Sequence, residues 1–287
     1  MSCLRCIGIQ RHLDEPLRVD ALAAIACFSP FHFSRVFRGM MGESVKEHFR
    51  RLRLERAAWQ LLFTRRSVTT IAFEAGYHTH EWFTRSFHGH FGLSPSAYRS
   101  RHAQKPHQPT PSGVHYQSKA ALASFKTARS AFKHMHVTIK NLPPRRVAFM
   151  RHVGPYSSVG ATWEKMCLAL GKDGWLGGEV LFLGVCYDDP EVTAPARIRY
   201  DACITVDDSF QPAGEIGVQV IPGGPHAVTT HMGPYERLSA TYAKLLGQWL
   251  PRSGRELGSS PCFEVYLNSP ESTAPEDLLT DVHAPLR

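Results

Sequence analysis

SVTTIAFEAGYHTHEWFTRSFHGHF, residues 67–91, is the stretch from which the N-terminal part of this 287-residue chain can be read. Val68, Ile71, Ala72 and Ala75 follow the i, i+3, i+4, i+7 spacing of a helix with one buried face. Gly76 comes next and suits the left-handed turn that ends a helix. Thr79 is a good cap for a second helix. In that helix Phe83, Ser86, Phe87, His90 and Phe91 share one face, while His80, Glu81, Thr84 and Arg85 share the other. Two short helices about a glycine turn, the second with hydrogen-bonding side chains outward, fit a helix-turn-helix. They fit an ordinary helical hairpin of an all-α core as well.

A matching pair stands upstream. Arg5 to Leu13 reads as a first helix, stopped by Asp14-Glu15-Pro16. VDALAAIA, residues 19–26, is a helix with Leu22, Ile25 and Ala26 inward, and Cys27-Phe28 makes the turn. Ser29-Pro30 starts the next helix, with Ser as cap and Pro at the first helical position. Phe33, Val36, Phe37 and Met40 recur at core spacing, which leaves Phe31, Ser34, Arg35 and Arg38 facing out. Phe33-Ser34-Arg35-Val36-Phe37 corresponds to Phe83-Thr84-Arg85-Ser86-Phe87 at an offset of 50 residues. Gly39, Gly42 and Ser44 correspond to Gly89, Gly92 and Ser94 at the same offset. Between the pairs, VKEHFRRLRLERAAWQLLF (residues 45–63) is one basic helix. Phe49, Leu52, Leu54, Ala57 and Leu61 lie near its core side. Arg50, Arg51, Arg53 and Arg56 fill the rest, and only some of them are expected to touch a phosphate.

The charge is uneven in a way that supports a nucleic-acid partner. Residues 1–105 hold 16 Lys+Arg against 8 Asp+Glu, residues 106–133 hold 4 against none, and residues 134–287 hold 13 against 17. The basic excess therefore belongs to the N-terminal part, where it can meet phosphates. No run of 18 apolar residues exists, and no signal peptide is evident, so no membrane partner is expected. The 7 Cys are scattered and odd in number, which fits reduced thiols in the cytoplasm of a bacterial cell. Cys3-x-x-Cys6 lacks the second ligand pair of a zinc knuckle. His78-x-His80, His88-x-His90 and His134-x-His136 lack a third ligand in register, so neither metal nor other cofactor is expected.

ALAAIACFSPFHFSRVFRGMMGES, RRLRLERAAWQLL and SVTTIAFEAGYHTHEWFTRSFHGHFGLSPSAYR together resemble the DNA-binding domain of the AraC/XylS family of transcription regulators, over about residues 8–102. That resemblance implies seven helices, with two recognition helices held by the basic linker helix. Each would enter the major groove on one face of the duplex, about one helical turn (roughly 34 Å) apart. Carried over by position, Phe31, Ser34, Arg35 and Arg38 belong to the first reader, and His80, Glu81, Thr84 and Arg85 to the second. Their chemistry agrees. Arg35 or Arg85 can grip guanine O6/N7 or a phosphate, Glu81 can accept from cytosine N4, and Phe31 can pack on a thymine methyl. Ser34 and Thr84 suit phosphates equally. Glu81 can instead pair with Arg85 one turn on and orient it.

After residue 105 the composition changes. AQKPHQPTPSGVHYQSKAALASFKTARSAFK (residues 103–133) begins as a Pro/Ser/Gln/Gly-rich connector, and Ala120 to Phe132 is long enough for a helix. Residues 134–287 read as α+β. Strands are expected over residues 136–140, 146–153, 180–187, 200–206, 216–221, 227–232, 262–267 and 278–283, with helices over 156–170 and 235–250. The segment repeats itself. His152-Val-Gly-Pro-Tyr156 recurs as His231-Met-Gly-Pro-Tyr235, and Ala161, Thr162 and Lys165 recur as Ala240, Thr241 and Lys244, at an offset of 79 residues. PEVTAP (190–195) recurs as PESTAP (270–275). A duplicated strand-strand-helix-strand-strand unit leaves a cleft at the junction of its halves, a favoured place for a ligand.

RHVGPY with Trp163, YDDPEVTAPARIRYDACITV, THMGPY and FEVYLNSPESTAPEDLLTDVHAPL resemble the GyrI-like effector-binding domain, over about residues 134–287. That resemblance implies a sensor of small, bulky, cationic or amphiphilic molecules, with a strand glutamate in the pocket at Glu264. The residues themselves agree: Glu264 and Tyr266 share one face of an alternating strand. The repeat places Gly184 opposite Glu264, so the cleft would hold one carboxylate. Tyr156, Trp163, Tyr235, Tyr242 and Tyr266 would give that carboxylate aromatic company suited to a cation.

The expected protein is multidomain. An all-α double helix-turn-helix DNA-binding domain (1–105) precedes a basic linker (106–133) and an α+β effector-binding domain (134–287). Its expected role is that of a non-enzymatic transcription regulator, bound to double-stranded DNA at an asymmetric operator through the major groove. A small amphiphilic or cationic effector would bias DNA affinity or contact with RNA polymerase. Two alternatives stand beside it. The C-terminal domain could be a hydrolase of a small electrophilic toxin, or a protein-binding inhibitor module.

Overall fold

The computed structural model describes residues 9–26, 28–101, 109–110, 112–116, 135–190 and 192–287. Cys3-x-x-Cys6, the start of the helix expected from Arg5, Cys27 and the helix expected over Ala120–Phe132 lie outside them. The chain divides into two compact units, one drawn from Met1–Ser29 and Met40–Ala131, the other from Pro30–Gly39 and Phe132–Arg287.

The first unit is helical. A 3-10 turn, Ile9–His12, precedes α1 (Val19–Ile25), and α2 (Pro30–Met41) gives its residues up to Gly39 to the second unit. Then come α3 (Val45–Phe63), α4 (Val68–Glu74), α5 (His80–Phe91) and α6 (Pro95–Ser100). The sequence's start signals operate as caps. Ser44 and Glu47 form a reciprocal capping box, with Glu47 N donating to Ser44 Oγ at 3.2 Å and Ser44 N to Glu47 Oε2 at 2.8 Å. Ser67, Thr79 and Ser94 accept from the amides of Thr70, Trp82 and Ala97. Gly76 and Gly92 take the left-handed conformation, at φ 82° and 72°.

These caps fix where the helices start, and one apolar cluster fixes how they pack. Leu54, Ala57, Ala58 and Leu61 of α3 meet Ile71, Ala72, Ala75, Phe83, Phe87 and Tyr98. Ala26 is buried as expected and Ala23 is buried with it, but Ile25 departs from the inward face expected of it and is 56 % exposed. The arginines of α3 are mostly structural. Arg51 is buried between Glu43 and Glu55. Arg53 donates to the carbonyls of Leu13 and Glu15, and Arg56 to that of Glu74. Of the four, only Arg50 stays exposed. Among the described residues no helix is long and apolar enough to cross a membrane.

The second unit carries the duplicated architecture. Its elements are β1 (Thr138–Leu142), β2 (Arg145–Val153), α7 (Val159–Lys172), β3 (Phe182–Cys186) and β4 (Arg199–Thr205). The pattern recurs as β5 (Ile216–Ile221), β6 (Gly224–Met232), α8 (Leu238–Lys244), β7 (Phe263–Tyr266) and β8 (Leu279–Pro285). The eight strands form one antiparallel sheet in the order β1-β6-β8-β7-β3-β4-β2-β5. The first strand of each half pairs with the other half's second strand, so neither half completes its sheet alone. β3 and β7 meet at the centre, where Gly184 lies directly opposite Glu264. The chain's internal repeat thus places its two equivalent positions face to face.

After α8 the helix widens into a π turn, Leu245–Trp249, and closes with α9 (Leu250–Ser253). Pro251 has no N–H to give to the carbonyl of Gly247, four residues earlier, which suits a widened turn at that point.

Candidate functional site

The centre of the second unit is a carboxylate among aromatic rings. Pleat alternation puts Glu264 and Tyr266 on one face of β7 and Phe263 and Val265 on the other, in an apolar cluster. Glu264 is 5 % exposed and accepts three hydrogen bonds. Tyr242 donates its hydroxyl to Oε1 at 3.1 Å, Tyr266 to Oε2 at 2.8 Å, and the Cys186 thiol lies 3.4 Å from Oε1. A second layer holds the first. Tyr200 and Tyr266 hydroxyls are 2.9 Å apart, and Trp163 Nε1 donates to Tyr200 at 3.1 Å. Burial first, and the Glu264 carboxylate second, push Tyr200, Tyr242 and Tyr266 well above their ordinary range. The same two causes raise Cys186. All four therefore stay protonated and act as donors, and Cys186 is no thiolate nucleophile.

All six residues expected at the cleft are brought together. Tyr235 packs on Tyr266 with ring centroids 5.5 Å apart, and Trp163 lies 5.8 Å from the same ring. Tyr156 meets Tyr200 at 6.1 Å and donates its hydroxyl to the Asp188 carbonyl. Trp163 and Tyr242 are repeat counterparts, so the two helices deliver one aromatic each. The HxGPY motifs build the frame. His152 bridges Thr162 Oγ1 (3.0 Å) and the Pro155 carbonyl (3.2 Å), and His231 bridges Thr241 Oγ1 (2.8 Å) and the Pro234 carbonyl (3.2 Å). Each histidine thus ties a strand end to the start of the following helix.

Sequence reasoning missed Tyr200 and Cys186. Cys186 is the repeat counterpart of Tyr266, which is a signal, but only strand register reveals that both face Glu264. Gly184 contributes by absence: a side chain there would run into the Tyr200 and Tyr266 hydroxyls.

On the second reader, His80, Glu81 and Arg85 of α5 are exposed and Thr84 is half-buried. Among the described residues no ion pair joins Glu81 to Arg85. The Glu81 carboxyl is lowered by its own backbone amide and by the Thr79 cap hydroxyl, and to a smaller extent by the nearby charges of His80 and Arg85. Trp82, absent from the expected set, is 67 % exposed in the first turn of α5. A large ring among polar neighbours was the available sign.

The first reader departs from expectation. Phe31, Ser34 and Arg35, read as an outward face, are 6 %, 1 % and 9 % exposed, and Arg38 is half-buried. The reason is that α2 packs within the second unit. Arg35 lies 3.5 Å over the centroid of Tyr242 and 4.2 Å over that of Phe31. Its Nη1 and Ser34 Oγ are buried without a hydrogen-bond partner among the described residues. Helical periodicity separates two faces of α2 and cannot say that both are covered.

Known proteins share both regions. The family model for the GyrI-like small molecule binding domain matches residues 135–287, and one for a helix-turn-helix domain matches residues 22–101. The probable transcriptional regulator YgiV of Escherichia coli (strain K12) is 36% identical over 105 residues, which are 36% of this chain and 65% of YgiV. The match thus spans just under two thirds of that relative. The regulatory protein SoxS of Salmonella typhimurium (strain LT2) is 36% identical over 93 residues, 32% of this chain and 87% of SoxS. The EcmrR–DNA complex in EcmrR-RPo, solved by cryo-EM, has a TM-score of 0.46 at 20% identity, covering 55% of this chain and 60% of that one.

Proposed function

Because this chain belongs to the GyrI-like small-molecule-binding family and carries an AraC-type helix-turn-helix region ahead of that domain, we propose that it is a transcription regulator answering to a small cationic or amphiphilic effector. The observation that carries the effector class is Glu264. Its charge is buried and surrounded by neutral donors, Tyr242, Tyr266 and Cys186. A buried carboxylate attracts a cation strongly in a low-dielectric site, and ring faces add about 2 kcal/mol per desolvated cation contact. An anionic ligand would meet repulsion, and a neutral one would leave the charge unused.

On this reading the exposed face of α5 reads one major-groove segment and the face of α2 another. The operator is then asymmetric, and RNA polymerase is the natural recipient of the signal. A boundary of 1–105, 106–133 and 134–287 for the two domains and their linker follows from the same reading.

The test is a thermal-shift comparison on the full chain. Tetraphenylphosphonium should raise the Tm of the wild type, and triphenylphosphine oxide, a neutral molecule of similar shape, should not. Glu264→Gln should abolish the shift, since binding to the folded state alone stabilises it by mass action. Equal shifts from both compounds, or an undiminished shift in Glu264→Gln, would overturn the assignment.

A further inference from the structure

The docking of α2 within the second unit is a built contact. Gly39 and Gly247 meet backbone to backbone: a side chain on Gly39 would strike the Ala243 carbonyl and Gly247 Cα, and one on Gly247 would strike Gly39 Cα. Gly89, the counterpart of Gly39 in the other helix-turn-helix, has open space where its side chain would be. Gln248 donates to the Gly39 carbonyl at 3.3 Å, and His32 Nε2 lies 3.8 Å from the buried Cys262 thiol. The contact brings a guanidinium to the face of Tyr242, the same ring whose hydroxyl donates to Glu264. Arg35 is nine-tenths buried, always charged, and lacks a hydrogen-bond partner on Nη1. The buried Asp189 carboxylate lies within its field, and a second cation brought beside Arg35 would be repelled at short range in a low-dielectric site.

We propose that Arg35 is an internal occupant of the effector cleft, so that the docked α2 and a cationic effector exclude each other. Both need the face of Tyr242, and two cations in that space would repel. The effector then acts by expelling α2, which frees Phe31, Ser34 and Arg35 for DNA. This rests on the reading of the Glu264 cleft as the effector site and adds the mechanism by which that site is coupled to a reader.

The test uses the full chain and two measurements: tetraphenylphosphonium affinity by calorimetry, and hydrogen exchange of the amides from Phe31 to Met40. Gly247→Ala blocks the backbone contact without touching Glu264 or its donors, and alanine is the better helix former. Arg35→Gln removes the internal cation and leaves the C-terminal residues intact. Both variants should bind the cation at least tenfold more tightly than the wild type. In the wild type the cation should speed α2 exchange at least tenfold, and Gly247→Ala should show fast exchange without it. Equal affinities in all three proteins, with α2 exchange indifferent to the cation, would overturn the proposal and leave the effector site standing. No binding to any of the three would instead overturn the effector reading, while fast α2 exchange confined to Gly247→Ala would still support the docked contact.

Discussion

At the residue scale the two expected readers separate by their partners. Arg85 stands on an exposed helix face, available for a bidentate grip on guanine. Arg85→Ala should weaken binding to a selected duplex by about 1–3 kcal/mol and relax preference at one base, read by competition binding at moderate salt. Loss spread evenly over all sequences would make Arg85 a phosphate contact instead. The candidate cleft was largely legible at this scale because two signals coincide there. Strand alternation puts Glu264 and Tyr266 on one face, and the internal repeat singles out the positions where the halves differ. Tyr200 and Cys186 were not legible, since their contact with that face depends on how β4 and β3 register against β7. Glu81 was open between reading a base and steering Arg85, and among the described residues it forms no ion pair with Arg85 while remaining within that arginine's field.

At the element scale, buried polar groups set the sensitivities. Glu55 of α3 is fully buried, pairs with Arg51 at 2.8 Å and accepts the Tyr116 amide at 2.7 Å. His115 and Tyr116 are thereby fastened to the helix. Glu55→Ala leaves Arg51 buried with one carboxylate fewer and should destabilise the first unit by about 3 kcal/mol in denaturant unfolding. A change under about 0.5 kcal/mol would mean that the network tolerates the loss.

In β8, His283 stacks on Phe263 at 4.5 Å, and both ring nitrogens are buried without a partner among the described residues. Burial lowers its pKa from 6.5 to about 4. The unfolded chain takes that proton near 6.5 and the folded chain only near 4, so the unfolded state binds more protons between those values. Stability should therefore fall as the pH drops from about 6.5 to about 4, by up to about 3 kcal/mol. His283→Phe keeps the stacked ring and should flatten that part of the profile in unfolding at pH 7 and pH 5. An unchanged slope would place the acid sensitivity elsewhere.

At the scale of the whole molecule, charge and repeat organise the function. The basic excess lies in residues 1–105 and the acidic excess in 134–287, which suits a DNA-binding region that meets phosphates and, under the proposed effector class, a second region that receives a cation. The order of elements, the duplication and the placing of Glu264 opposite Gly184 were all legible, because each is written in short-range pattern or in self-similarity. The burial of Phe31, Ser34 and Arg35 was not. Their spacing defines a face, and what lies on that face is a long-range packing choice fixed by Gly39 against Gly247. Under the proposed coupling, that packing joins sensing to DNA reading.

The most direct measurement is hydroxyl-radical footprinting of the full chain on a duplex enriched from a random pool, with and without tetraphenylphosphonium. Without the cation only the exposed α5 reader should engage, giving one protected tract. With the cation a second tract should appear about one helical turn (roughly 10 base pairs) away. Two tracts in the absence of the cation, or a footprint that the cation leaves unchanged, would contradict the coupling.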